Sequence, residues 1–276
     1  MIWLYGTAIL LIVFYTIKAI HLYQHQGDHL YHPSNEIRGN PADVGLDFQD
    51  VELRTADNIL LHGWYCAKTG SKKVILLFHG NTGNISDCLA SLKIFSDLGY
   101  SSLVFDYRGY GRSQGKPDEL GTYRDADTAW EWLLREQHFA PSDVIILGRS
   151  LGAAIGANLA SKHNPAAVVL ESTFTSLPDI AAEKHRLVPA RLMTRFNYNT
   201  LDLIKQINSP ILIIHGPDDS VISYKHGRRL FAAANEPKGF LDIDSHHAEG
   251  YLRSGEIYIN GLKDFFQHHI ENEASS

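Results

Sequence analysis

Residues 144–160 read VIILGRSLGAAIGANLA, and this stretch decides the fold. An apolar run leads into Gly-Arg-Ser-Leu-Gly, and a segment rich in alanine and glycine follows. The pattern Gly-x-Ser-x-Gly at an abrupt change from strand to helix is typical of a nucleophile elbow, a tight turn that exposes the serine hydroxyl. The stretch therefore predicts a buried strand, a strained turn at Ser150 and a helix of small side chains packed closely on the sheet. Ser150 is the candidate nucleophile.

A second stretch matches the same five-residue pattern and offers a rival serine. GRSQG at residues 111–115 contains Ser113, and the chain holds 22 glycines, so a chance match to so short a pattern is unsurprising. Ser113 follows DYRGYG and precedes Lys116 and Pro117, which is typical of a glycine-rich loop without a helix entry. We therefore predict that Ser150, and not Ser113, performs the chemistry.

The rest of the chain alternates short apolar runs with amphipathic stretches. Two opening runs around Asp57 and Asn58 predict an antiparallel pair, and the later continuous runs predict strands buried in a parallel sheet. In order, the runs are LDFQDVELRT, ILLHGWYC, KVILLFHG, SSLVFDY, VIILG, AAVVLES, PILIIHG and GFLDID. The predicted fold class is α/β, with a mostly parallel eight-stranded sheet and helices on both faces.

Composition narrows the chemistry. The chain has 276 residues, 44% of them hydrophobic, with a formal net charge of −6. No basic block dominates, so nucleic acid is not expected as a partner. The two cysteines, Cys66 and Cys88, have neither the spacing of a metal site nor that of a disulfide framework. We expect two buried thiols, no metal and no cofactor.

The first segment differs in composition from everything that follows. Residues 1–17 carry no charged side chain, and the apolar character continues to Ile20. About 20 apolar residues are enough for a helix to cross a bilayer. The segment also lacks the basic start and the small-residue cleavage site of a signal peptide. We therefore predict a single-pass transmembrane helix over residues 1–20 and a membrane localisation.

The remaining chain divides into a juxtamembrane linker over residues 21–45 and a catalytic domain over residues 46–272. Residues 172–207 interrupt the alternation of strands and helices with basic and apolar side chains. A long insertion after a strand often covers a binding site, so we predict a small cap or lid there. Lys18 and Arg38 follow the predicted span and favour a cytoplasmic catalytic domain. Two basic residues do not decide on which side of the membrane the catalytic domain lies.

A catalytic serine must be activated by a histidine, which a carboxylate orients. On this type of fold the chain order is serine, acid and histidine, and the acid and the histidine follow later strands of the sheet. Asp218 and Asp219 follow PILIIHG, and His246 and His247 follow GFLDID. Position alone does not choose within either pair.

The same chemistry needs backbone N–H groups that stabilise the oxyanion of a tetrahedral intermediate. We predict that one is the amide of Leu151, directly after the nucleophile, and that the other is the amide of Asn81 in the loop FHGNTGN. His79 lies in the same loop before a glycine, and we expect a structural hydrogen-bonding role for it.

These motifs resemble those of the α/β-hydrolase superfamily. More closely, they resemble a compact membrane-anchored branch with acyl-thioesterase and lysophospholipase-like members. The matching segments run in the family's order over about residues 46–265: HGNTGN, DYRGYGRSQG, GRSLGAA, ESTFTS, PILIIHGPDDSVIS and HHAEGY. The resemblance implies the α/β-hydrolase fold and a loop around Ser113 that is not catalytic.

The resemblance also implies a choice within each ambiguous pair. In this branch the acid precedes x-Val-Ile, which matches Asp219, and the histidine lies in His-x-Glu-x-Tyr, which matches His247. A shorter related pattern would choose His246 instead. The chain departs from its relatives here, because they usually carry a glycine or another small residue before the catalytic histidine.

The sequence therefore predicts a membrane-anchored serine hydrolase that cleaves carboxylic esters or thioesters of a small-molecule or lipid-like acyl substrate. Ser150 would attack the acyl carbonyl, His247 would act as the general base, and Asp219 would orient the histidine. Water would then release the acyl group from the enzyme. Two alternatives stay open: a serine peptidase of the same fold, and a catalytically silent binding protein that retains it. The oligomeric state is open as well.

Overall fold

A computed structural model of the chain describes residues 2–184, 189–244, 247 and 250–271. Its strands are β1 (His32–Pro33), β2 (Gln49–Arg54), β3 (Leu60–Cys66), β4 (Val74–Phe78), β5 (Thr82–Gly83), β6 (Ser101–Phe105), β7 (Val144–Arg149), β8 (Ala167–Glu171), β9 (Ile211–His215) and β10 (Lys238–Asp242). Strands β1 and β5 pair with each other, and the others form one eight-stranded sheet in the order β10-β9-β8-β7-β4-β6-β3-β2. Strand β3 runs antiparallel to its neighbours β2 and β6. The pairs β10–β9, β9–β8, β8–β7, β7–β4 and β4–β6 are parallel. The prediction of a mostly parallel sheet behind an opening antiparallel pair is confirmed, and the sheet is mixed rather than purely parallel.

Helices cover both faces of this sheet. They are α1 (Ile2–Gln24), α2 (Gln26–Leu30), α3 (Leu89–Asp97), α4 (Glu119–Arg135), α5 (Leu151–Ala160), α6 (Leu177–Lys184), α7 (Ala190–Met193), α8 (Thr200–Leu203), α9 (Lys225–Ala233), α10 (Gly250–Arg253) and α11 (Gly255–Phe266). Short 3₁₀ turns occur at Pro41–Val44, Ile85–Cys88, Pro141–Asp143 and Ile204–Gln206, and a π turn at Gln267–Glu271.

The core has two apolar layers because side chains of a strand point alternately to the two faces of the sheet. Phe78 of β4 packs in the layer that contains Trp130 of α4, whereas Leu77 packs in the layer that contains Phe95 of α3 and Tyr258 of α11. All five residues of β4 are buried, which explains why this strand is a continuous apolar run instead of an alternating one.

The predicted transmembrane helix and membrane localisation are wrong. Within the described ranges, no helix is both long enough and apolar enough to cross a membrane. The predicted segment forms most of α1, whose final turns carry Lys18 and His21 and approach the folded domain. The Arg195 guanidinium donates to the carbonyl of Gln24 over 3.3 Å and lies 5.6 Å from the ring centroid of Tyr23. This end of α1 therefore packs on the domain.

The segment predicted as a linker also makes specific contacts with the domain. The Gln26 side chain donates to the carbonyl of Met193 over 2.6 Å and accepts from the amide of Arg195 over 2.7 Å. The Tyr31 and Tyr198 hydroxyls lie 2.7 Å apart, and both tyrosines are buried. Residues 26–31 are thus hydrogen-bonded to the insertion over residues 172–207.

That insertion contains α6, α7 and α8, with residues 185–188 outside the described ranges. Two of its carboxylates tie it to α9. Asp179 lies 3.3 Å from the Arg229 guanidinium, and Glu183 lies 3.0 Å from the Lys225 ammonium group. Ion pairs with these lysine and arginine side chains hold α6 beside the carboxyl ends of the strands. We call residues 172–207 the cap segment, and its role as a lid stays a prediction.

Candidate active site

Ser150 lies at the junction of β7 and α5, where the chain changes direction abruptly. Its backbone angles are φ 52° and ψ −117°, a conformation that residues other than glycine rarely adopt. The end of β8 holds this strained turn. The Ser150 amide donates to the carbonyl of Glu171 over 2.9 Å, and the Thr173 hydroxyl donates to the carbonyl of Ser150 over 2.8 Å. The motif ESTFTS, which begins at Glu171, therefore supports the turn from the neighbouring strand.

The two glycines of GRSLG allow the close approach that the turn requires. A Cβ atom on Gly148 would lie 2.5 Å from the Cα atom of Ala153. A Cβ atom on Gly152 would lie 2.3 Å from the carbonyl oxygens of Phe78 and His79. Since both contacts are with backbone atoms, no side-chain movement could relieve them. The first turn of α5 can pack against the ends of β7 and β4 only because these positions carry no side chain.

Ser150, His247 and Asp219 lie in one line of short contacts. Ser150 Oγ lies 3.1 Å from His247 Nε2, and His247 Nδ1 lies 2.8 Å from Asp219 Oδ2. The other carboxylate oxygen of Asp219 accepts from the amides of Val221 and Ile222, each over 2.9 Å. The side chain of Asp219 is fully buried. The carboxylate is thus fixed by the loop after β9 and points Oδ2 at His247, with His215 Nε2 3.5 Å from the same oxygen.

The surroundings of Asp219 favour its charged form. Burial alone would raise the pKa of this carboxyl, but hydrogen bonds from His215, His247 and Ile222 outweigh burial and hold the pKa well below its usual range. Its neighbour Asp218 is exposed to solvent. Of this pair, the structure therefore brings Asp219 to the histidine. His246, the rival histidine, lies outside the described residues.

The loop between β4 and β5 lies beside the serine. Asn81 and Leu151 line the same cavity as Ser150, and within the described ranges neither backbone amide donates a hydrogen bond to another residue. The Tyr110 hydroxyl donates to the carbonyl of Asn81 over 2.8 Å and so fixes this loop. The His79 ring is buried and packs 4.3 Å, centroid to centroid, from the Tyr107 ring. Burial lowers the pKa of His79, which suits a neutral structural residue.

Sequence reasoning missed a buried polar network directly beneath the turn. Arg149 Nε donates to the carboxylate of Glu171 over 2.8 Å, and another nitrogen of the same guanidinium donates to Ser91 Oγ over 2.6 Å. The Tyr258 hydroxyl donates to the same Glu171 oxygen over 3.0 Å. The sequence did offer one signal of this network, an arginine at the end of one apolar strand and a glutamate at the end of the next. The network anchors the residue before Ser150.

Ser113 has a different environment. Its hydroxyl donates to the carbonyl of Asp106 over 2.7 Å and accepts from the amide of His62 over 2.9 Å. Both bonds are with backbone atoms, so this hydroxyl joins the loop after β6 to strand β3. Ser113 does not line the cavity that holds Ser150.

Ser150 opens into a cavity of about 920 Å³ between the sheet and the cap segment. Its walls are mainly apolar and include Phe174, Leu177, Ile180, Met193 and Phe196. The C-terminal part of α1 and helix α2 complete one side of it. Such a volume is typical of sites that bind small molecules or acyl chains.

Within the described ranges, no group of three or more His, Cys, Asp or Glu side chains is placed to hold a metal ion. The expectation of chemistry without a metal or cofactor stays a prediction.

Known proteins resemble this chain in sequence and fold. The model of a family described as alpha/beta hydrolase fold matches residues 73–201. An uncharacterized protein of Mycobacterium tuberculosis is 34% identical over 239 residues, which cover 86% of this chain and 85% of that protein. The alpha/beta hydrolase domain-containing protein WAV2 of Arabidopsis thaliana is 32% identical over 241 residues, 79% of this chain and 78% of that protein. An esterase of Pyrococcus furiosus matches in structure with a TM-score of 0.76, at 21% identity, over 87% of this chain and 98% of the esterase, which is a likeness of fold.

Proposed function

The chain belongs to the α/β-hydrolase family, and from the geometry of its site we propose that it is a serine hydrolase that cleaves carboxylic esters or thioesters of apolar acyl substrates. The line of contacts from Ser150 through His247 to Asp219 carries this proposal. An unrelated cluster of polar residues would not be expected to combine a strained serine, an adjacent imidazole and a buried carboxylate at hydrogen-bond distances.

In the first step, the Ser150 hydroxyl attacks the acyl carbonyl while His247 Nε2 takes its proton. The distance of 3.1 Å between the two atoms permits this transfer without rearrangement. Asp219 keeps a proton on Nδ1 and stabilises the imidazolium that forms. The depressed pKa of Asp219 supports this role, because a carboxylate that stays charged attracts the cationic ring.

The tetrahedral intermediate places a negative charge on the former carbonyl oxygen, which the amides of Asn81 and Leu151 stabilise in this proposal. The imidazolium returns its proton to the leaving oxygen or sulfur, and an acyl-enzyme ester remains on Ser150. Water then attacks this ester with His247 as base, the imidazolium returns that proton to Ser150 Oγ as the acyl–Oγ bond breaks, and the carboxylic acid is released. Each bond that forms on the acyl carbon replaces one that breaks, so no cofactor is required.

The cavity supports acyl substrates in particular. Phe174, Leu177 and Phe196 are among its mainly apolar lining residues, and the cavity leaves room for a chain of several methylene groups, each of which contributes about 0.8 kcal/mol when buried. The esterase of Pyrococcus furiosus has the same fold, which agrees with this reading. Thioesters enter the proposal because the motifs resemble those of acyl-thioesterases.

A substrate series tests the proposal. Purified wild-type protein and the Ser150→Ala and His247→Ala variants are assayed with 4-nitrophenyl acetate, butanoate, octanoate and dodecanoate, with octanoyl thioesters, and with aminoacyl 4-nitroanilides. We expect turnover of the esters that rises from acetate to octanoate in the wild type and is lost in both variants. Preferential turnover of the anilides would instead indicate a peptidase. Absence of turnover in a folded wild-type protein would indicate a silent binding protein and contradict the proposal.

A further inference from the structure

Among the described residues, the lysines that line the cavity are not matched by any acidic side chain there. Lys18 near the end of α1 and Lys184 at the end of α6 both line it, whereas no aspartate or glutamate of the described residues does. The two lysines approach from different helices, one from the N-terminal segment and one from the cap segment. The apolar cavity that holds Ser150 therefore has a cationic rim.

Two acidic side chains of the cap segment are already paired with other cations. Asp179 lies 2.7 Å from the guanidinium of Arg191, and Glu183 lies 3.0 Å from the ammonium group of Lys225. Among the described residues, by contrast, no carboxylate forms an ion pair with the ammonium group of Lys18 or Lys184. Lys18 Nζ lies 5.6 Å from the ring centroid of Phe14, a contact that leaves its N–H donors available. Both cations are thus available to a ligand in the cavity.

We propose that the acyl substrate of this site carries an anionic group, which Lys18 and Lys184 bind at the rim of the cavity. This inference rests on the proposed function and names the substrate class. A cation beside an apolar wall attracts an anion more strongly than the same cation in open water, because less water screens the pair. The apolar walls bind the acyl chain, and the lysines select the substrates that also carry negative charge.

The anionic group has two possible sources, the leaving group or the far end of the acyl chain. Two anionic substrates distinguish them, each compared with neutral phenyl octanoate. In 4-sulfophenyl octanoate the charge lies on the leaving group, and in the monophenyl ester of octanedioic acid it lies at the end of the acyl chain. The quantity measured is kcat/KM for each anionic ester divided by kcat/KM for phenyl octanoate.

These ratios are compared among the wild type, Lys18→Gln, Lys184→Gln and the double variant. The control is Lys205→Gln, which removes an exposed lysine that pairs with Asp202 away from the cavity. For the anionic ester whose charge reaches the two lysines, we expect the ratio to fall about threefold in each single variant and about tenfold in the double variant. The control keeps the wild-type ratio. Division by the rate of the neutral ester removes effects on folding and on the chemical step.

Salt provides a second readout that a merely structural role would not change. Raising the ionic strength from about 0.02 M to about 0.5 M should lower the wild-type ratio toward that of the double variant, since salt screens exposed charges. The double variant itself should respond little. Ratios for both anionic esters that are equal in the wild type and the double variant would overturn the proposal.

A binding measurement keeps this test separate from the proposed function. Calorimetry with Ser150→Ala protein compares octanesulfonate with 1-octanol, and the same comparison is made in Ser150→Ala combined with both lysine substitutions. We expect tighter binding of octanesulfonate than of 1-octanol, and loss of this preference without the lysines. A preference that persists without them contradicts the anion site even when turnover is normal. Absence of Ser150-dependent turnover would instead contradict the proposed function and leave this comparison interpretable.

Discussion

Ser150 and Ser113 occupy the same position in two copies of one pattern, GRSLG and GRSQG, yet their surroundings differ in every respect that matters for chemistry. The Ser150 hydroxyl faces an imidazole at 3.1 Å and an open cavity. The Ser113 hydroxyl has backbone partners on both sides, the carbonyl of Asp106 and the amide of His62. One serine is held by its backbone and leaves its side chain available, whereas the other uses its side chain to hold a loop.

The pattern Gly-x-Ser-x-Gly alone therefore carries little information about the role of its serine. Gly152 follows Ser150 and meets the carbonyls of Phe78 and His79, so a helix enters there against the sheet. Gly115 follows Ser113 in a loop, at φ +88°, and a Cβ atom there would meet only ordinary contacts at 3.4 Å. The same residue type thus serves close packing in one copy and a left-handed turn in the other.

Removal of each serine tests the comparison most severely. Ser150→Ala should lower kcat/KM for 4-nitrophenyl octanoate by about 10⁴-fold or more, because the nucleophile and its partners act as a unit. Ser113→Ala should retain activity within about threefold and lose about 1–2 kcal/mol of unfolding free energy, because the His62 amide loses its acceptor. Steady-state kinetics and urea denaturation measure the two effects. Equal loss of activity in both variants would contradict the conclusion that the two serines have different roles.

Replacement of the carboxylates should have the next largest effect. Asp219→Asn retains the shape of the side chain but removes the charge that favours imidazolium, so we expect kcat to fall about 10²–10⁴-fold. Asp218→Asn serves as the matched control, because Asp218 is exposed one residue away, and it should change kcat less than twofold. A larger effect of Asp218→Asn than of Asp219→Asn would show that Asp218, and not Asp219, is the acid that orients the histidine.

Substitution of the second glycine of each pattern should change the unfolding free energy by different amounts. Gly152→Ala should lower the unfolding free energy by about 3 kcal/mol, because the new Cβ atom would overlap two backbone carbonyls. Gly115→Ala should cost about 1 kcal/mol, since only its left-handed backbone is strained. Thermal and urea denaturation provide both values. Similar costs for the two substitutions would show that α5 does not pack as closely as described.

Thiol chemistry offers the smallest expected effect. Cys66 and Cys88 are buried, as the sequence predicts, and burial raises the pKa of their thiols to about 11 and about 12. Both therefore stay protonated and unreactive near neutral pH. Iodoacetamide should label neither cysteine in the native protein and should leave esterase activity unchanged, as mass spectrometry and a parallel assay would show. Rapid inactivation would point to a thiol nucleophile and weaken the assignment of Ser150.

Much of the fold follows from the sequence because the central strands β4, β7 and β9 are short and largely apolar. The runs VIIL in β7 and ILII in β9 read as buried strands in a parallel sheet, and they are. The positions of Ser150 at a strand–helix turn and of Ser113 in a loop follow in the same way, from small residues that only a close helix–sheet contact requires. Local composition is sufficient where the structural requirement is also local.

The sequence is less informative where distant segments meet. The apolar composition of α1 predicts a membrane span, but its end contacts Arg195, which lies far along the chain in the cap segment. The network of Arg149, Glu171 and Tyr258 joins three elements, and its last two members are 87 residues apart. No periodicity records such a pairing. Contacts of this kind depend on the folded arrangement and become visible only in three dimensions.

The position of a covalent adduct would identify the nucleophilic serine. The wild-type protein is treated with a fluorophosphonate, which forms a stable phosphonyl ester with an activated serine, and the labelled protein is digested and sequenced by mass spectrometry. We expect one adduct, on Ser150, and none on Ser113. An adduct on Ser113, or labelling that persists unchanged in the Ser150→Ala variant, would contradict this expectation.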